Sequence, residues 1–280
     1  MTAFESSVIS MEKDGAVATI WLDREEARNA LGPDFWRDLP RAIKELSEDD
    51  SIRCIVIAAK GPHFSVGLDL KAMGGSLMSG GTNSEGTPSS QAAKNAAGYN
   101  MIRTMQDSVT SIELCPKPVI AAIHGYCIGG GVDIIAACDV RFSSQDALYS
   151  VREAKVAIVA DLGSLQRLPH IIGLGHVKEL AYSGKDITAQ RAAEIGLVND
   201  ALGSADDVIE RARAFAREVA SNSPLAVQGT KAVLAASQDV TVEEGLEFVA
   251  QWNTLYLQSN DLVEAMTAFM EKRDPTYTGT

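Results

Sequence analysis

Three short apolar runs constrain this chain more than anything else in it: Ala16 to Leu22 (AVATIWL), Ile52 to Ala59 (IRCIVIAA) and Pro118 to His124 (PVIAAIH). Each is rich in Val, Ile or Ala and bounded by charged residues, Gly or Pro, the pattern of a buried strand. Between them, Phe35 to Leu46 and Asn95 to Leu114 carry apolar residues at intervals of three and four, the period of a helix face. Pro40 predicts that the first of these helices begins late or kinks. Strands alternating with helices imply βαβ crossovers and a sheet covered on its faces, hence an α/β fold. From Ala205 onward the patterns turn helical, with Val208 to Ala220 amphipathic and Val242 to Phe269 broadly so. The chain thus divides into a sheet-containing core, 1–204, and a helical appendage, 205–280, of the kind that docks on a neighbouring copy.

The 280 residues suffice for one large core, and a net charge of −12 removes any general affinity for nucleic acid or anionic membrane. A local basic patch for a small phosphate-bearing ligand stays compatible with that charge. No apolar run approaches the ~20 residues of a membrane span. Cys54, Cys115, Cys127 and Cys138 stand singly in apolar runs, without CxxC or Cys/His spacing, and read as buried free thiols. His63, His124, His170 and His176 likewise show no metal spacing, so no metal is expected. The opening MTAFESSVIS lacks a basic start and an apolar stretch, and the closing TYTGT is no SKL-type signal, which makes the cytoplasm the expected location. Gly74 to Gln91 (GGSLMSGGTNSEGTPSSQ) reads as a loop, either a functional lid or plain disorder.

Chemistry concentrates in three acids set among apolar and glycine residues: Asp133 in GGGVD, Glu153 in VREAKV and Asp161 in VADLGSLQRLP. A carboxylate in such surroundings loses water and must find a partner, titrate upward or move protons. In HGYCIGGGVDIIAACD a helix is expected to begin at Gly129, Gly130 and Gly131, whose missing side chains let the first helical amides meet an anion or, alternatively, let helix and strand pack closely. The segment is neither GxGxxG nor GxxxxGK[ST]. In HFSVGLDLKAM, Gly67 permits an unusual turn and Leu68 can present its N–H, although the same letters fit an ordinary tight turn. Two amides from separate loops can hold one oxygen, the arrangement that stabilises the enolate of a thioester. Each acid also has a plain reading: Asp133 at the positive end of its helix, Glu153 on the surface, Asp161 as an N-cap.

Taken together, LDREEARNAL, HFSVGLDLKAM, CPKPVIAAIHGYCIGGGVD, SGKDITAQRAAEIGLVN, SNSPLAVQGTK and FMEKRDP resemble the crotonase (enoyl-CoA hydratase/isomerase) superfamily over nearly the whole length. Within it, Phe35 and Trp36, GGGVD, VREAKVAIVADLGSLQRLP and WNTLYLQSND look most like the 3,5-to-2,4-dienoyl-CoA isomerase branch. The resemblance implies a spiral of ββα repeats with a C-terminal helical trimerisation region, trimers or paired trimers (hexamers), and an acyl-CoA thioester substrate with no further cofactor. It implies oxyanion-hole amides at Leu68 and Gly130, and a CoA site near Ala27, Arg28, Ala30 and Lys71, reached by Lys272 of an adjacent subunit.

Under this resemblance the acids select the reaction. Hydratases of the superfamily carry glutamates at the positions of Asp133 and Glu153, and the shorter Asp133 disfavours ordinary hydration. Asp161 stands where hydratases commonly have glycine. A proton moving from C2 to C6 of a dienoyl chain needs one carboxyl to take and another to give, so Glu153 is expected at C2 and Asp161 at C6, with Asp133 holding their protonation states apart. Hydration by Asp133 and Glu153, or acyl-CoA binding without catalysis, are the alternatives. Glu153 and Asp161 would lie ~12 Å apart on an unbroken helix, so the chain is expected to turn between them. Ala157 and Lys155 depart from the superfamily's habits.

Overall fold

A computed structural model of the chain describes residues 4–79 and 90–280, with backbone alone for 75–79. The hairpin β1 (Ile9–Asp14) and β2 (Val17–Leu22) opens it, turning at Gly15. Helix α1 (Pro33–Glu48) leads to β3 (Cys54–Ala59), and α2 (Leu70–Ser79) and α3 (Gln91–Leu114) lead to β4 (Val119–Ile123). Then come β5 (Tyr126–Ile128), α4 (Gly130–Ala137), β6 (Val140–Ser144) and β7 (Leu148–Ser150). Helices α5 (Ser164–Ile172) and α6 (Leu174–Ser183) precede β8 (Ile187–Thr188), α7 (Ala189–Glu194) and β9 (Asp200–Leu202). Four helices close the chain: α8 (Ala205–Ala220), α9 (Pro224–Ala236), α10 (Val242–Tyr256) and α11 (Asn260–Glu271).

The six-stranded sheet runs β1-β2-β3-β4-β6-β9, parallel throughout except for the opening hairpin. A smaller sheet runs β5-β7-β8. Successive turns of chain give one strand to each sheet and then a helix: β4, β5 and α4, then β6, β7 and α5. The turn before them follows the same rule, because Ser65 beyond β3 bridges Cys127 of β5 in parallel. This is the expected ββα spiral, and it is what places successive strand-to-helix junctions side by side.

Period-two alternation in β3 feeds two cores. Ile55 and Ile57 face α1, α3 and α4, while Cys54, Val56 and Ala58 face Val208, Ala212 and Ala216 of α8. Helix α8, which opens the 205–280 region, therefore lies on the sheet.

Three expectations change. Helix α1 begins at Pro33, earlier than expected, and runs on through Pro40. Pro33 suits the first helical turn, and the buried face of Phe35, Trp36, Leu39, Ile43 and Leu46 outweighs the hydrogen bond that Pro40 forfeits. The loop expected over Gly74 to Gln91 is shortened from both ends. The side chain of Asp69 accepts from the amides of Lys71 and Ala72 at 3.1 and 2.9 Å, starting α2, which continues to Ser79. Ser90 caps α3, which starts at Gln91 instead of Asn95. Residues 80–89 lie outside the described residues. The helix expected over Val242 to Phe269 is two, divided at Leu257–Ser259, where Ser259 caps α11.

Candidate active site

The site starts from two glycine-dependent junctions. After β3 the chain crosses to Gly67 at φ +84°, and after β5 it crosses to Gly129 at φ +53°, both conformations that side chains disfavour. A Cβ on Gly67 would lie 2.8 Å from the Ile128 carbonyl oxygen and 3.5 Å from the Gly130 amide, so only glycine lets the junctions touch. The main chain of Leu31 braces the first junction, donating to the Gly67 carbonyl at 2.8 Å and accepting from the Asp69 amide at 3.0 Å. Those bonds leave the Leu68 N–H turned the other way. Among the described residues neither the Leu68 nor the Gly130 amide has a protein acceptor, and both residues line one cavity of about 830 Å³. Gly130 also begins α4, whose dipole adds positive potential there.

All three acids line the same cavity. Asp133 sits in the first turn of α4, 1% exposed, and its Oδ1 accepts from the Ser164 amide at the start of α5 at 2.6 Å. Glu153 begins a 3-10 turn, Glu153–Val156, and its Oε2 is buried without a hydrogen-bond partner. A Cβ on Gly129 would come within 3.1 Å of Glu153 Oε1, so the same glycine admits the carboxylate to the junction of Gly67 and Gly129. The expected turn between Glu153 and Asp161 occurs at Ala157, which adopts φ +60°. Asp161 is half-buried, and its main-chain oxygen accepts from Gln106 at 2.6 Å. It caps no helix, because Gly163 occupies the N-cap of α5.

Burial raises the pKa of each acid. Asp133 is pushed up to about 7, chiefly by lost solvation and then by the Glu153 charge, against the Ser164 hydrogen bonds that hold it down. Glu153 is raised by burial and then by Asp161, and Asp161 by burial. Three mutually repelling carboxyls in one cavity do not all ionise together near neutrality. Such a set can hold one proton while offering a place for another.

Of the residues singled out from sequence, Leu68, Gly130, Asp133, Glu153 and Asp161 come together. Ala27, Arg28, Ala30, Lys71 and Lys272 do not line this cavity. The Ala27 to Ala30 segment runs into Leu31, which bridges Leu68, and so adjoins the Leu68 junction. Arg28, Lys71 and Lys272 are exposed, Lys71 in the first turn of α2 and Lys272 at the C-terminus of α11. Sequence reasoning missed the apolar wall formed by Met101, Ile102 and Met105 of α3. Their helical spacing was visible, but nothing in it separates a cavity wall from ordinary core.

The chain belongs to the enoyl-CoA hydratase/isomerase family, which residues 12–280 match. Among its relatives, the peroxisomal Delta(3,5)-Delta(2,4)-dienoyl-CoA isomerase of Arabidopsis thaliana is 42% identical over 96% of this chain and 95% of its own length. The mitochondrial enzyme of that name from Mus musculus is 41% identical over 92% of this chain and 77% of its own. The crystal structure of an enoyl-CoA hydratase from Bacillus anthracis superposes with a TM-score of 0.87 at 31% identity, covering 98% of this chain and 100% of that one.

Proposed function

We propose that the protein isomerises 3,5-dienoyl-CoA to 2,4-dienoyl-CoA by moving a proton from C2 to C6. The observation that carries this reading is the convergence, on one largely apolar cavity, of three upward-shifted carboxyls and two main-chain amides without a protein acceptor among the described residues. It is supported by relatives that carry that name over most of the chain. The thioester oxygen lies between the Leu68 and Gly130 amides. Ionised Glu153 takes a proton from C2, and the electron pair spreads through the conjugated chain to that oxygen, where the two N–H groups offset the developing charge. Protonated Asp161 then forms the C–H bond at C6, leaving double bonds at C2 and C4. Return of the proton from Glu153 to Asp161 closes the cycle without net acid or base. Asp133, tied to the Ser164 amide and itself pushed up to about 7, shares in this coupling, so that the three carboxyls do not ionise together.

The chemistry uses no cofactor beyond the CoA of the substrate. We place the CoA moiety along Ala27, Arg28, Ala30 and Lys71, with Lys272 supplied by a neighbouring subunit of a homotrimer or of a hexamer of paired trimers. Four buried free thiols suit a reducing compartment, and we assign the protein to the cytoplasm. Among the described residues no helix is long and apolar enough to cross a membrane.

The deciding assay supplies 3,5-dienoyl-CoA and follows ultraviolet absorbance, which shifts to longer wavelength as the diene conjugates with the thioester. Asp161→Asn is expected to lower turnover by about 10²-fold or more while leaving the melting temperature near that of the parent. Near-parental turnover in that variant removes Asp161 from the mechanism. Loss of absorbance from a 2-enoyl-CoA, without turnover of the 3,5-diene, marks a hydratase instead.

A further inference from the structure

Asp161 lies in the stretch Ala157–Gly163, which has no regular secondary structure to hold it. Its place is set by bonds from outside. At one end the Ile158 amide donates to the Glu153 carbonyl at 3.0 Å, and just beyond the other the Ser164 amide donates to Asp133. At Asp161 itself the tether is Gln106 of α3, whose Nε2 donates to the Asp161 main-chain oxygen at 2.6 Å. The orientation of that amide is fixed in turn, because Arg103 Nη1 donates to Gln106 Oε1 at 2.8 Å and leaves the NH2 end for Asp161.

Gln106 does not line the substrate cavity. It lines a second hollow of about 900 Å³, bordered also by Thr110, Gln166, Arg167 and Lys231, and Asp161 stands in the partition between the two. We infer that Gln106 is a positioning residue, one that sets the reach of the Asp161 carboxyl toward C6 without touching substrate. The inference rests on the isomerase reading above. It follows that removing the Gln106 donor slows delivery of the proton to C6 and spares its removal from C2, which depends on Glu153 and the two amides. A misplacement of about 1 Å is enough to cost about 10²-fold in rate.

The test uses full-length Gln106→Leu, which has no donor, and Gln106→Lys, which keeps one. Each is given 3,5-dienoyl-CoA in deuterated buffer, with product read by absorbance and deuterium at C2 of recovered substrate by mass spectrometry. Gln106→Leu is expected to lose about 10- to 100-fold in kcat, to keep KM within about threefold, and to raise the ratio of C2 exchange to product. Gln106→Lys is expected to stay within about threefold of the parent in both readouts. Parental kcat in Gln106→Leu overturns the inference. So does a parallel fall of C2 exchange and product, the mark of a merely structural role. If the parent itself turns over no 3,5-diene, the isomerase reading fails and this inference fails with it, an outcome seen before any variant is made.

Discussion

Asp133 shows how one side chain links fold to chemistry. Its carboxyl ties the start of α4 to the start of α5, yet its burial holds its pKa at about 7 against an ordinary value of 3.8. The folded protein therefore keeps a proton there that the unfolded chain releases, so Asp133 makes stability fall as pH rises from about 4 to about 7 and adds no further slope above. At about 1.4 kcal/mol per pH unit the full effect is a few kcal/mol. Asp133→Asn keeps an oxygen for the Ser164 amide and removes the charge. Urea unfolding at pH 5 and pH 8 is expected to show the variant gaining on the parent at the higher pH; an equal difference at both values counts against a buried, titrating Asp133. The proposed mechanism has its own pH signature, because it needs Glu153 ionised while Asp161 is protonated, and both titrate above their usual range. The kcat/KM profile is expected to be bell-shaped, and a profile flat from pH 5 to 9 is incompatible with the two roles.

Among the elements, the 3-10 turn Glu153–Val156 carries the proposed base and ends at Ala157, in the left-handed region at φ +60°. A left-handed alanine costs roughly 1–2 kcal/mol relative to an unstrained residue. Ala157→Gly is expected to raise stability by about 1 kcal/mol, less the entropy glycine adds to the unfolded chain, read as a higher denaturation midpoint with unchanged slope. A lower midpoint argues against strain at this position. How far each element could be read from sequence follows from similar local causes. β3 was visible because both of its faces are apolar. β6 was not, because its buried Ser143 and Ser144 satisfy their hydroxyls nearby, Ser143 on the Ser144 carbonyl and Ser144 on Asp146, so a core strand carries polar letters. α2 was hidden by its own composition, since GGS looks like a loop and the Asp69 cap that starts the helix lies before it. At the site, the acids and glycines stood out because carboxylates in apolar surroundings need a reason. Gln106 did not, because a glutamine on a helix face has many possible partners and only the tertiary structure names Asp161.

For the whole molecule, the C-terminal helices leave a large apolar surface uncovered. α10 has no buried residue, and Leu255, Val263, Phe269 and Met270 are 75%, 64%, 85% and 73% exposed. So much exposed apolar area on these two helices is what the proposed subunit contact covers. α11 is nevertheless well anchored, since buried Asp261 accepts from Ser223 Oγ and from the amides of Thr278 and Gly279, fastening the last residues of the chain at the start of α9. A rigid apolar platform of this kind fits the proposed trimer. Sedimentation is expected to show the parent at three or six times 29.8 kDa and Phe269→Glu as a smaller species. A parent that sediments as a monomer at micromolar concentration removes the trimer from the proposal.

The pairing of Leu68 with Gly130 is made of backbone, fixed by the lateral register of consecutive spiral turns. No single codon change deletes those two N–H groups short of introducing proline, whereas each of the three acids can be exchanged at the cost of one side chain. Descendants of such a scaffold inherit the proposed grip on a thioester as a property of the fold and remain free to vary what is done to the carbon chain it holds.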